Sequence, residues 1–432
     1  MTQSPARPDL ASESGASYEA LALRFAPLFA RIATGELQRE TDRTLPHEPV
    51  EWLDAAGWGA LRVPREAGGV GASVETTARL VADLAEADSN VAHLYRSHFG
   101  FVEGLRFQPG QVRAHWYPKI LAGQTVGNAS TERAGNALGE LNTRLTPDGE
   151  SWLLDGAKYY ATGSIFSDHT RVTVGVDGVE RQVYAVVGTR DPGVGIEDDW
   201  DGFGQSLTGT GTATFERVVV RPESVMVRDY GCVEAVHEQA FFQLYLLAVM
   251  AGIARASRRD AVSTIAARTR TFNTGLGLPF REDPLIQEAV GRISAKAFAA
   301  EATVLHAARV LDDALAAVER DADALGVADI SEFSFPVPYE LSLAEVAVEQ
   351  AQVGVAELSL AAAQQLFETA GASATSAAKG LDRHWRNAQT VATHNPVAFR
   401  ARAIGDYHLN GVLPEGQYAV GDAPWSASGP LA

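Results

Sequence analysis

The 432-residue sequence contains a single cysteine, Cys232. One cysteine cannot form an intrachain disulfide and excludes a cysteine-rich metal site. Basic residues are also few, since 36 Lys and Arg stand against 54 Asp and Glu for a formal net charge of −18. Nucleic-acid-binding proteins present a basic face to phosphate, so this balance argues against a nucleic-acid partner. We expect a solvated acidic surface and a reducing, cytoplasmic setting.

Long apolar runs are missing as well. The longest, residues 244–254, is well short of the roughly 20 residues that cross a bilayer, so no membrane segment is expected. Residues 1–17 lack the apolar core of a secretory signal, and their composition predicts a disordered tail. A G-x-G-x-x-G nucleotide-binding unit for NAD(P)H is not evident either.

The periodicity of apolar residues divides the sequence into three units, a number expected for this length. The pattern is helical over residues 18–125, alternates with a period of two over residues 126–232, and is helical again over residues 233–432. In the last unit, alanine-rich segments predict long helices packed as a four-helix bundle. The sequence therefore predicts an α+β protein with an N-terminal helical domain, a middle β domain and a C-terminal bundle domain.

The middle unit has two hairpin signals. Asp177-Gly178 separates two valine-rich runs and predicts a hairpin, and residues 212–220 predict a further strand. Asp155-Gly156 also lies between apolar residues, which predicts a second turn at that dipeptide.

A polar loop precedes that second signal, and it carries a family resemblance. The spacing of Thr131-Glu132, Asp155-Gly156, Lys158 and Thr162-Gly163 resembles the flavin-contacting segment of the acyl-CoA dehydrogenase superfamily. The sequences at residues 127–130, 198–200 and 382–387 give a more specific resemblance. They are similar to the flavin-dependent monooxygenase branch of that superfamily, of dibenzothiophene monooxygenase type. The likeness covers about residues 53–411. It implies the acyl-CoA dehydrogenase fold, with a barrel-like middle domain, and a homotetramer.

The resemblance implies which residues hold the flavin. Hydrogen bonds to the ring would come from the polar loop and the strand that follows it, and an indole would cover one ring face; these residues are Asn128, Ser130, Thr131, Thr162 and Trp200. Without the resemblance, local turn hydrogen bonds would explain the same polar side chains.

A second segment, with Arg268, Arg270 and Phe272, resembles the arginine segment that reaches the flavin phosphate, commonly across a subunit interface. The planar guanidinium suits a phosphate, although a basic last helical turn stabilised by the helix dipole is the alternative. A further arginine that the branch uses near the phosphate falls at Ser373.

The sequence of the C-terminal segment distinguishes a dehydrogenase from a monooxygenase. In the dehydrogenases a glutamate removes the substrate α-proton, and its place falls on Asn395, whose amide cannot act as a base. The preceding His394 resembles the monooxygenase histidine that faces the oxygen-reactive side of the flavin. A histidine titrating near neutrality can supply or relay the proton that a C4a-hydroperoxyflavin requires. We therefore expect His394 to be catalytic, together with His93 and Asn128.

The substrate pocket is expected at Ser97, His98 and Asn395. Ser97 falls where sulfur-oxidising members carry a tyrosine, which implies a roomier or more polar pocket. The resulting hypothesis is a two-component monooxygenase that takes reduced FMN, or FAD, from a separate reductase and oxygenates a small substrate at sulfur, nitrogen or aromatic carbon. The alternatives are an acyl-CoA dehydrogenase or oxidase with FAD and a relocated base, and a non-catalytic flavin-fold scaffold.

Overall fold

The computed structural model describes residues 17–133, 140–269 and 275–414. Helices at both ends of the chain enclose strands in its middle, so the α+β class predicted from the sequence is confirmed. Residues 1–16 of the expected tail and residues 415–432 of the expected C-terminal domain lie outside the described residues. The N-terminal helices are α1 (Tyr18–Thr34), α2 (Glu36–Asp42), α3 (His47–Ala55), α4 (Val74–Ala87), α5 (Ser89–Leu94), α6 (Arg96–Leu105) and α7 (Gly110–Leu121).

The start of α4 shows how the N-terminal helices are fixed to the rest of the protein. The hydroxyl of Ser73 caps the helix by accepting from the backbone N–H of Thr76. The carboxylate of Asp312, from the C-terminal bundle, accepts from the backbone N–H groups of Val74 and Glu75 at 2.8 and 2.9 Å. An anion at this helix end offsets the positive end of the helix dipole and ties the two helical regions together.

The middle of the chain forms two four-stranded sheets with one shared apolar core. The first has the order β1-β4-β5-β8, with β1 parallel to β4, and the second has the order β2-β3-β7-β6. Isolated pairings of Thr131 with Tyr159 and of Arg144 with Gly175 join the sheets at two corners. The strands are β1 (Val126–Ala129), β2 (Arg144–Asp148), β3 (Ser151–Lys158), β4 (His169–Val174), β5 (Gln182–Gly188), β6 (Val194–Ile196), β7 (Ala213–Val220) and β8 (Val225–Arg228).

The hairpin predicted around Asp177-Gly178 is confirmed, because β4 and β5 pair antiparallel on either side of it. The turn predicted at Asp155-Gly156 is wrong. Strand β3 runs through that dipeptide, and the chain reverses at Gly149, where φ is +63°. Gly156 instead lies at a bulge in the pairing with β7, and its φ of +140° brings it against the backbone of Thr143.

The C-terminal region is a bundle of three long helices whose fourth position is filled by two shorter ones. The long helices α8 (Val233–Ala266), α9 (Pro284–Ala324) and α10 (Tyr339–Gln365) confirm the alanine-rich segments as helical. The shorter helices are α11 (Asp382–Ala392) and α12 (Val397–Asn410). Within the described part of the chain, α8 is long and apolar enough to cross a membrane, but 94% of its most apolar stretch is buried inside the protein, as in a core helix.

Candidate active site

Two histidines from distant parts of the chain lie face to edge. His93 lies in α5 and His394 in the break between α11 and α12, with ring centroids 6.4 Å apart. Pro396 explains the break, because proline disfavours helical backbone in the residue before it and can start a new helix at its own position. The structure thus brings together two of the residues predicted to be catalytic.

Gln205 fixes the orientation of His93. Its Oε1 lies 2.9 Å from Nδ1 of His93, while its Nε2 donates to Oγ of Ser89 at 3.1 Å. Since the amide nitrogen donates elsewhere, Oε1 is the acceptor and Nδ1 of His93 carries the proton. The other ring nitrogen, Nε2, is then an acceptor, and it has no hydrogen-bond partner within the described residues. Burial, followed by the charge of Arg96, lowers the pKa of His93 to about 4.

Gln205 itself is held in a strained conformation. Its φ of +51° lies in the left-handed region, which a non-glycine residue adopts at a cost. Its backbone N–H donates to Oδ1 of Asn387, in α11, at 2.6 Å. Asn387 belongs to the segment that carries the family resemblance, and its role in this structure is to hold the loop that orients His93.

His394 lies beside the guanidinium of Arg96. Nη1 of Arg96 is 3.4 Å from Nε2 of His394, and its Nε donates to the backbone carbonyl of Phe242 at 3.1 Å. His394 is exposed by surface area, yet desolvation by the surrounding protein is the main cause that lowers its pKa well below the usual value, with the charge of Arg96 second. His394 thus lies at the surface beside the buried ring of His93, and the region around His93, Arg96 and His394 is the candidate cleft.

The lowered pKa values correct one expectation. The sequence predicts that His394 titrates near neutrality, whereas Arg96 and burial keep the imidazole neutral throughout that range in the protein without ligand. His93 is neutral as well. The cleft therefore presents two neutral imidazoles and one guanidinium, and a proton on His394 requires an anion nearby to offset Arg96.

A run of hydroxyls links Thr162 to the same network. Oγ1 of Thr162 is 2.8 Å from Oγ1 of Thr210, which is 2.7 Å from Oγ1 of Thr208, and Thr208 donates to the backbone carbonyl of Gln205 at 2.9 Å. A carbonyl can only accept, so the proton of Thr208 points to Gln205. Thr210 must then donate to Thr208, and Thr162 donates to Thr210, its other acceptor being the more distant carbonyl of Tyr160 at 3.5 Å. Towards a ligand, the oxygen of Thr162 can therefore only accept.

The polar loop after β1 is organised by its own hydrogen bonds. Oδ1 of Asn128 accepts from the hydroxyl of Ser130 at 2.9 Å, and that hydroxyl accepts from Thr173 at 2.9 Å. The backbone carbonyl of Thr131 accepts from the N–H of Tyr159 at 2.8 Å. The amide nitrogen of Asn128 is left as the donor of this loop.

Glu132 and Lys158, two residues of the family spacing, form a buried ion pair at 2.8 Å. The carboxylate also accepts from the backbone N–H groups of Asn142 and Thr143, both at 2.9 Å. Burial alone would raise the pKa of Glu132, but Lys158 and these N–H groups together lower it to about 2. The pair supports the loop that precedes it rather than facing the cleft.

Two aromatic side chains lie next to Thr162. The indole Nε1 of Trp200 donates to the carbonyl of Gly204 at 3.0 Å, which fixes the ring. Tyr160 packs edge-on against Trp200 with centroids 5.8 Å apart, has a φ of +60°, and is 48% exposed. A large aromatic side chain held exposed in a left-handed conformation is a cost that a flat ligand stacked on the ring would offset.

The predicted phosphate segment is described only in part, because Arg270 and Phe272 lie outside the described residues. Nη1 of Arg268 donates to the hydroxyl of Ser373 at 3.2 Å, and Nζ of Lys379 donates to the same hydroxyl at 3.4 Å. Two cations thus converge on Ser373, the position at which the resemblance implies an arginine.

The structure places the three predicted pocket residues differently. His98 lies in the core, where Nε2 donates to the carbonyl of Gly59 at 2.9 Å and Nδ1 accepts from the N–H of Val126 at 3.2 Å. Both ring nitrogens are used, so His98 has none to offer a substrate. The side chain of Asn395 donates to Gln243 at 2.7 Å and anchors the break that carries His394. Ser97 is buried in α6, and its contact with a substrate stays a prediction.

Sequence reasoning missed Arg96, Gln205, Phe242 and Tyr160. Arg96 reads as an ordinary helix residue, and Gln205 lies in a loop without a periodic pattern. Tyr160 was the one with a signal, since it stands two residues before the recognised Thr162 on the same strand end.

The arrangement fits a flavin. The side chains around Thr162 offer the amide donor of Asn128, the acceptor of Thr162 and two aromatic faces. Arg268 and Lys379, which meet at Ser373 in another part of the fold, could receive a phosphate. These are the groups that hold an isoalloxazine ring and its phosphate.

Comparisons with known proteins agree with this fit. Residues 26–124 match the acyl-CoA dehydrogenase N-terminal domain family, and residues 244–399 match the acyl-CoA dehydrogenase C-terminal domain family. A dibenzothiophene monooxygenase of Mycolicibacterium goodii is 28% identical over 85% of this chain and 88% of its own length. A probable FMNH2-dependent monooxygenase, SfnC, of Pseudomonas putida is 28% identical over 91% and 95%.

The solved structures show the same relationship. FMN-bound TdsC of Paenibacillus sp. A11-2 superposes with a TM-score of 0.80 at 26% identity, over 91% of this chain and 98% of TdsC. Sequence families, curated relatives and fold thus point to one group. The chain belongs to the acyl-CoA dehydrogenase superfamily and is an enzyme of its flavin-dependent monooxygenase branch.

Proposed function

We propose that the protein is the oxygenase of a two-component system that takes reduced FMN from a separate flavin reductase and oxygenates a small organic substrate. The observation that carries this proposal is the ordered hydroxyl chain from Thr162 to Gln205. An acceptor at Thr162 suits the additional ring N–H that distinguishes reduced from oxidised flavin. When bound, reduced FMN supplies the electrons that reduce O2, one oxygen atom going to the substrate and the other to water.

The residues of the chain would bind, orient and protect. Asn128 and Thr162 hold the ring, and Tyr160 and Trp200 cover it. Arg268 and Lys379, with Arg270 from the recognised segment, hold the phosphate of this or a neighbouring subunit. Ser130 and Thr131 contribute through the shape of their loop, since their hydrogen bonds shown here are internal.

The two histidines are proposed to handle the proton. Nε2 of His93, the free acceptor, and the ring of His394 face one cleft, so a proton held at one can be passed within it. An anion that enters beside Arg96 raises the pKa of His394, because it offsets the guanidinium charge that acts, after burial, to keep the imidazole neutral. Sulfur, an amine nitrogen and an electron-rich aromatic carbon remain the candidate acceptors of oxygen.

The dehydrogenase alternative is less well supported. It needs a relocated carboxylate base, but within the described residues no Asp or Glu hydrogen-bonds to His93, Arg96 or His394. The position of the usual base is Asn395, whose side chain is bonded to Gln243. The scaffold alternative would leave the strained Gln205 and Tyr160 without a role.

Assembly and location are part of the proposal. Large apolar side chains are exposed on the bundle helices, including Leu285 and Phe298 of α9 and Leu409 of α12. The resemblance implies a homotetramer, and we propose that such side chains contribute to its interfaces, which are built through the bundle, and that the protein works in the cytoplasm with the reductase. Mass measurement in solution tests the assembly.

The deciding experiment is anaerobic stopped-flow absorbance spectroscopy. The protein is mixed with reduced FMN and then with oxygenated buffer. We expect a transient species that differs from oxidised flavin and decays faster in His394→Ala than in the wild type. Reoxidation without any transient, together with bleaching of bound oxidised FAD by an acyl-CoA, would establish the dehydrogenase alternative. Failure to bind flavin in either oxidation state would establish the scaffold.

A further inference from the structure

Arg96 is the one residue of the cleft whose charge has no counterpart. Its guanidinium lies 4.5 Å from the ring centre of Phe242, donates through Nε to the Phe242 carbonyl, and approaches His394 through Nη1. Within the described residues no carboxylate oxygen lies within 4.0 Å of it, whereas Arg62, Arg171, Arg228 and other enclosed arginines each have such a partner.

The carboxylate whose charge acts on Arg96, Glu238, already has two partners. Its Oε1 accepts from Nη1 of Arg171 at 2.5 Å and its Oε2 accepts from Nη1 of Arg228 at 2.6 Å. A second carboxyl in this cluster, Glu234, is held partly protonated at neutral pH, because burial raises its pKa to about 7 against the opposing charge of Arg228. Arg171 and Arg228 thus bond to Glu238, whose charge also acts on Arg96, so three guanidiniums share one carboxylate that stays ionised.

Arg96 remains charged in spite of this. Burial lowers the pKa of Arg96 to about 10, with the charge of Glu238 acting in the other direction, so the guanidinium is protonated at neutral pH. A charge that is desolvated without a partner is costly, and proteins retain such groups where a ligand completes them.

The geometry leaves the guanidinium able to bind. Of its five N–H groups, one donates to Phe242 and one points to His394, while Nη2 donates no hydrogen bond within the described residues. Part of the side chain is open to solvent. A structural role in packing against Phe242 needs only Nε and the contact of the guanidinium with the ring. It does not explain why Nη2 of Arg96 donates no hydrogen bond within the described residues.

We propose that the substrate carries an oxyanion, of the carboxylate, sulfinate or sulfonate kind, which the guanidinium of Arg96 binds beside His394. This inference rests on the proposed function, since it names the substrate class of the same cleft. The planar fork matches two oxygens of such a group, and the charge-assisted bonds select it over a neutral molecule of the same shape. The anion also offsets the charge of Arg96, which after burial is the second cause that lowers the pKa of His394, so substrate binding favours the protonated imidazole.

The reduced flavin ring, which can be anionic, is the other source of negative charge. Its phosphate has separate cations in Arg268 and Lys379, and the hydroxyl of Thr162 and the amide of Asn128 serve its ring. These assignments leave Arg96 for the substrate, and the experiment below separates the two sources.

The test compares matched probes on the protein free of flavin. Binding of benzoate and of its neutral counterpart benzamide is measured by isothermal titration calorimetry at pH 8, and benzenesulfinate is compared with methyl phenyl sulfoxide in the same way. We expect each anion to bind at least about tenfold more tightly than its neutral counterpart. In Arg96→Met the preference disappears, in Arg96→Lys a part of it remains, and in the surface control Arg281→Met it is unchanged.

A parallel anaerobic titration with reduced FMN decides the source. Arg96→Met should change the affinity for reduced FMN by less than about threefold. The inference is overturned if the wild type shows no anion preference, if the preference survives in Arg96→Met, or if Arg96→Met weakens reduced FMN as much as it weakens the anions. In the last case the guanidinium serves the flavin.

The outcomes also separate this inference from the proposed function. If reduced FMN binds and yields the transient absorbance while no anion preference exists, the monooxygenase function is supported and the oxyanion site is contradicted. If anions bind through Arg96 while reduced FMN does not bind at all, the oxyanion site is supported and the proposed monooxygenase function is contradicted. Circular dichroism and a melting curve of each variant establish that a loss of binding is not a loss of folding.

Discussion

The hydroxyl of Thr162 donates to the hydroxyl of Thr210 across 2.8 Å, because Thr208 and Gln205 fix the direction of every proton further along the chain. A side chain that could be donor or acceptor is thereby made an acceptor. The direction of this hydrogen bond is a property of four residues together.

Replacing Thr210 with valine should therefore change which flavin redox state is preferred. In Thr210→Val the hydroxyl of Thr162 loses its acceptor at 2.8 Å and keeps only the carbonyl of Tyr160 at 3.5 Å. The proton can then be donated to a ligand, so the ratio of affinities for reduced over oxidised FMN should fall by about three- to tenfold. Anaerobic and aerobic fluorescence titrations measure the two affinities. Thr303→Val on α9, where the hydroxyl bonds only to its own helix, is the matched control. An unchanged ratio would contradict the ordered chain.

The pKa of His93 should rise when its partner becomes an acid. In Gln205→Glu a carboxylate lies next to Nδ1–H, and an opposite charge at that distance raises a histidine pKa by roughly one to three units, from about 4 towards neutrality. Proton NMR titration of the imidazole, with His93→Gln for assignment, measures the shift. A pKa that stays near 4 would show that burial alone controls this histidine.

His98 should stabilise the fold and not the reaction. His98→Ala leaves the Gly59 carbonyl and the Val126 N–H unpaired in the core, at a cost of about 2–4 kcal/mol in the free energy of unfolding. Urea unfolding at pH 7.5 measures the loss. Activity per folded molecule should be unchanged, and a selective loss of substrate affinity would restore the predicted pocket role.

His98 should also make the free energy of unfolding depend on pH in the acidic range. Burial lowers its pKa to about 4, so between that value and 6.5 the unfolded chain binds more protons than the folded one. The stability that neutral His98 contributes is fully present above pH 6.5 and is lost as pH falls towards 4, by roughly 3 kcal/mol. His93 adds a similar loss. In His98→Gln, the fall in unfolding free energy between pH 7.5 and 5 should be smaller than in the wild type.

Lys379 and Ser373 should control recognition of the flavin phosphate. Lys379→Ala removes one of the cations that converge on Ser373, so FMN should bind about tenfold more weakly while riboflavin, which lacks the phosphate, is unaffected. Ser373→Arg, which introduces the arginine that the resemblance implies at this position, should tighten the binding of FMN and leave that of riboflavin unchanged. Equal effects on FMN and riboflavin would place these residues away from the phosphate.

Breaking the buried pair of Glu132 and Lys158 should be costly. Lys158→Met leaves a carboxylate buried without its counterion, which typically costs about 3–5 kcal/mol. The double variant Lys158→Met/Glu132→Gln should recover part of the loss, because the amide can still accept from the N–H groups of Asn142 and Thr143. Urea unfolding of the three proteins measures it. No recovery would show that packing, not charge, accounts for the loss.

The sequence predicted the elements better than the turns. Helix α8 and strand β7 follow from periodicity, because each exposes a regular apolar pattern to its neighbours. The turn at Asp155-Gly156 failed because the same dipeptide that suits a tight turn also suits a bulge, and only the pairing of β3 with β7 decides between them.

The site was predicted in the same uneven way. Recognised spacing singled out His93, His394 and Thr162, which the structure places around one network. Arg96 and Gln205 were not predicted as site residues. The missing ion-pair partner of Arg96 and the strained φ of Gln205 are properties of the folded structure that the sequence does not reveal. His98 was misplaced by its neighbourhood in the sequence, since one helical step turns it from the cleft into the core.

By itself, then, the sequence determined the order of helices and strands, the family spacing and the loss of the glutamate base at Asn395, because these depend on neighbours along the chain. Tertiary structure alone decided that the imidazoles of His93 and His394 are neutral, that Thr162 accepts rather than donates, and that Arg96 lacks a counterion. The reason is physical: pKa values, proton direction and ion pairing depend on burial and on atoms a few ångströms away, and those atoms come from segments 48 to 298 residues apart in the chain.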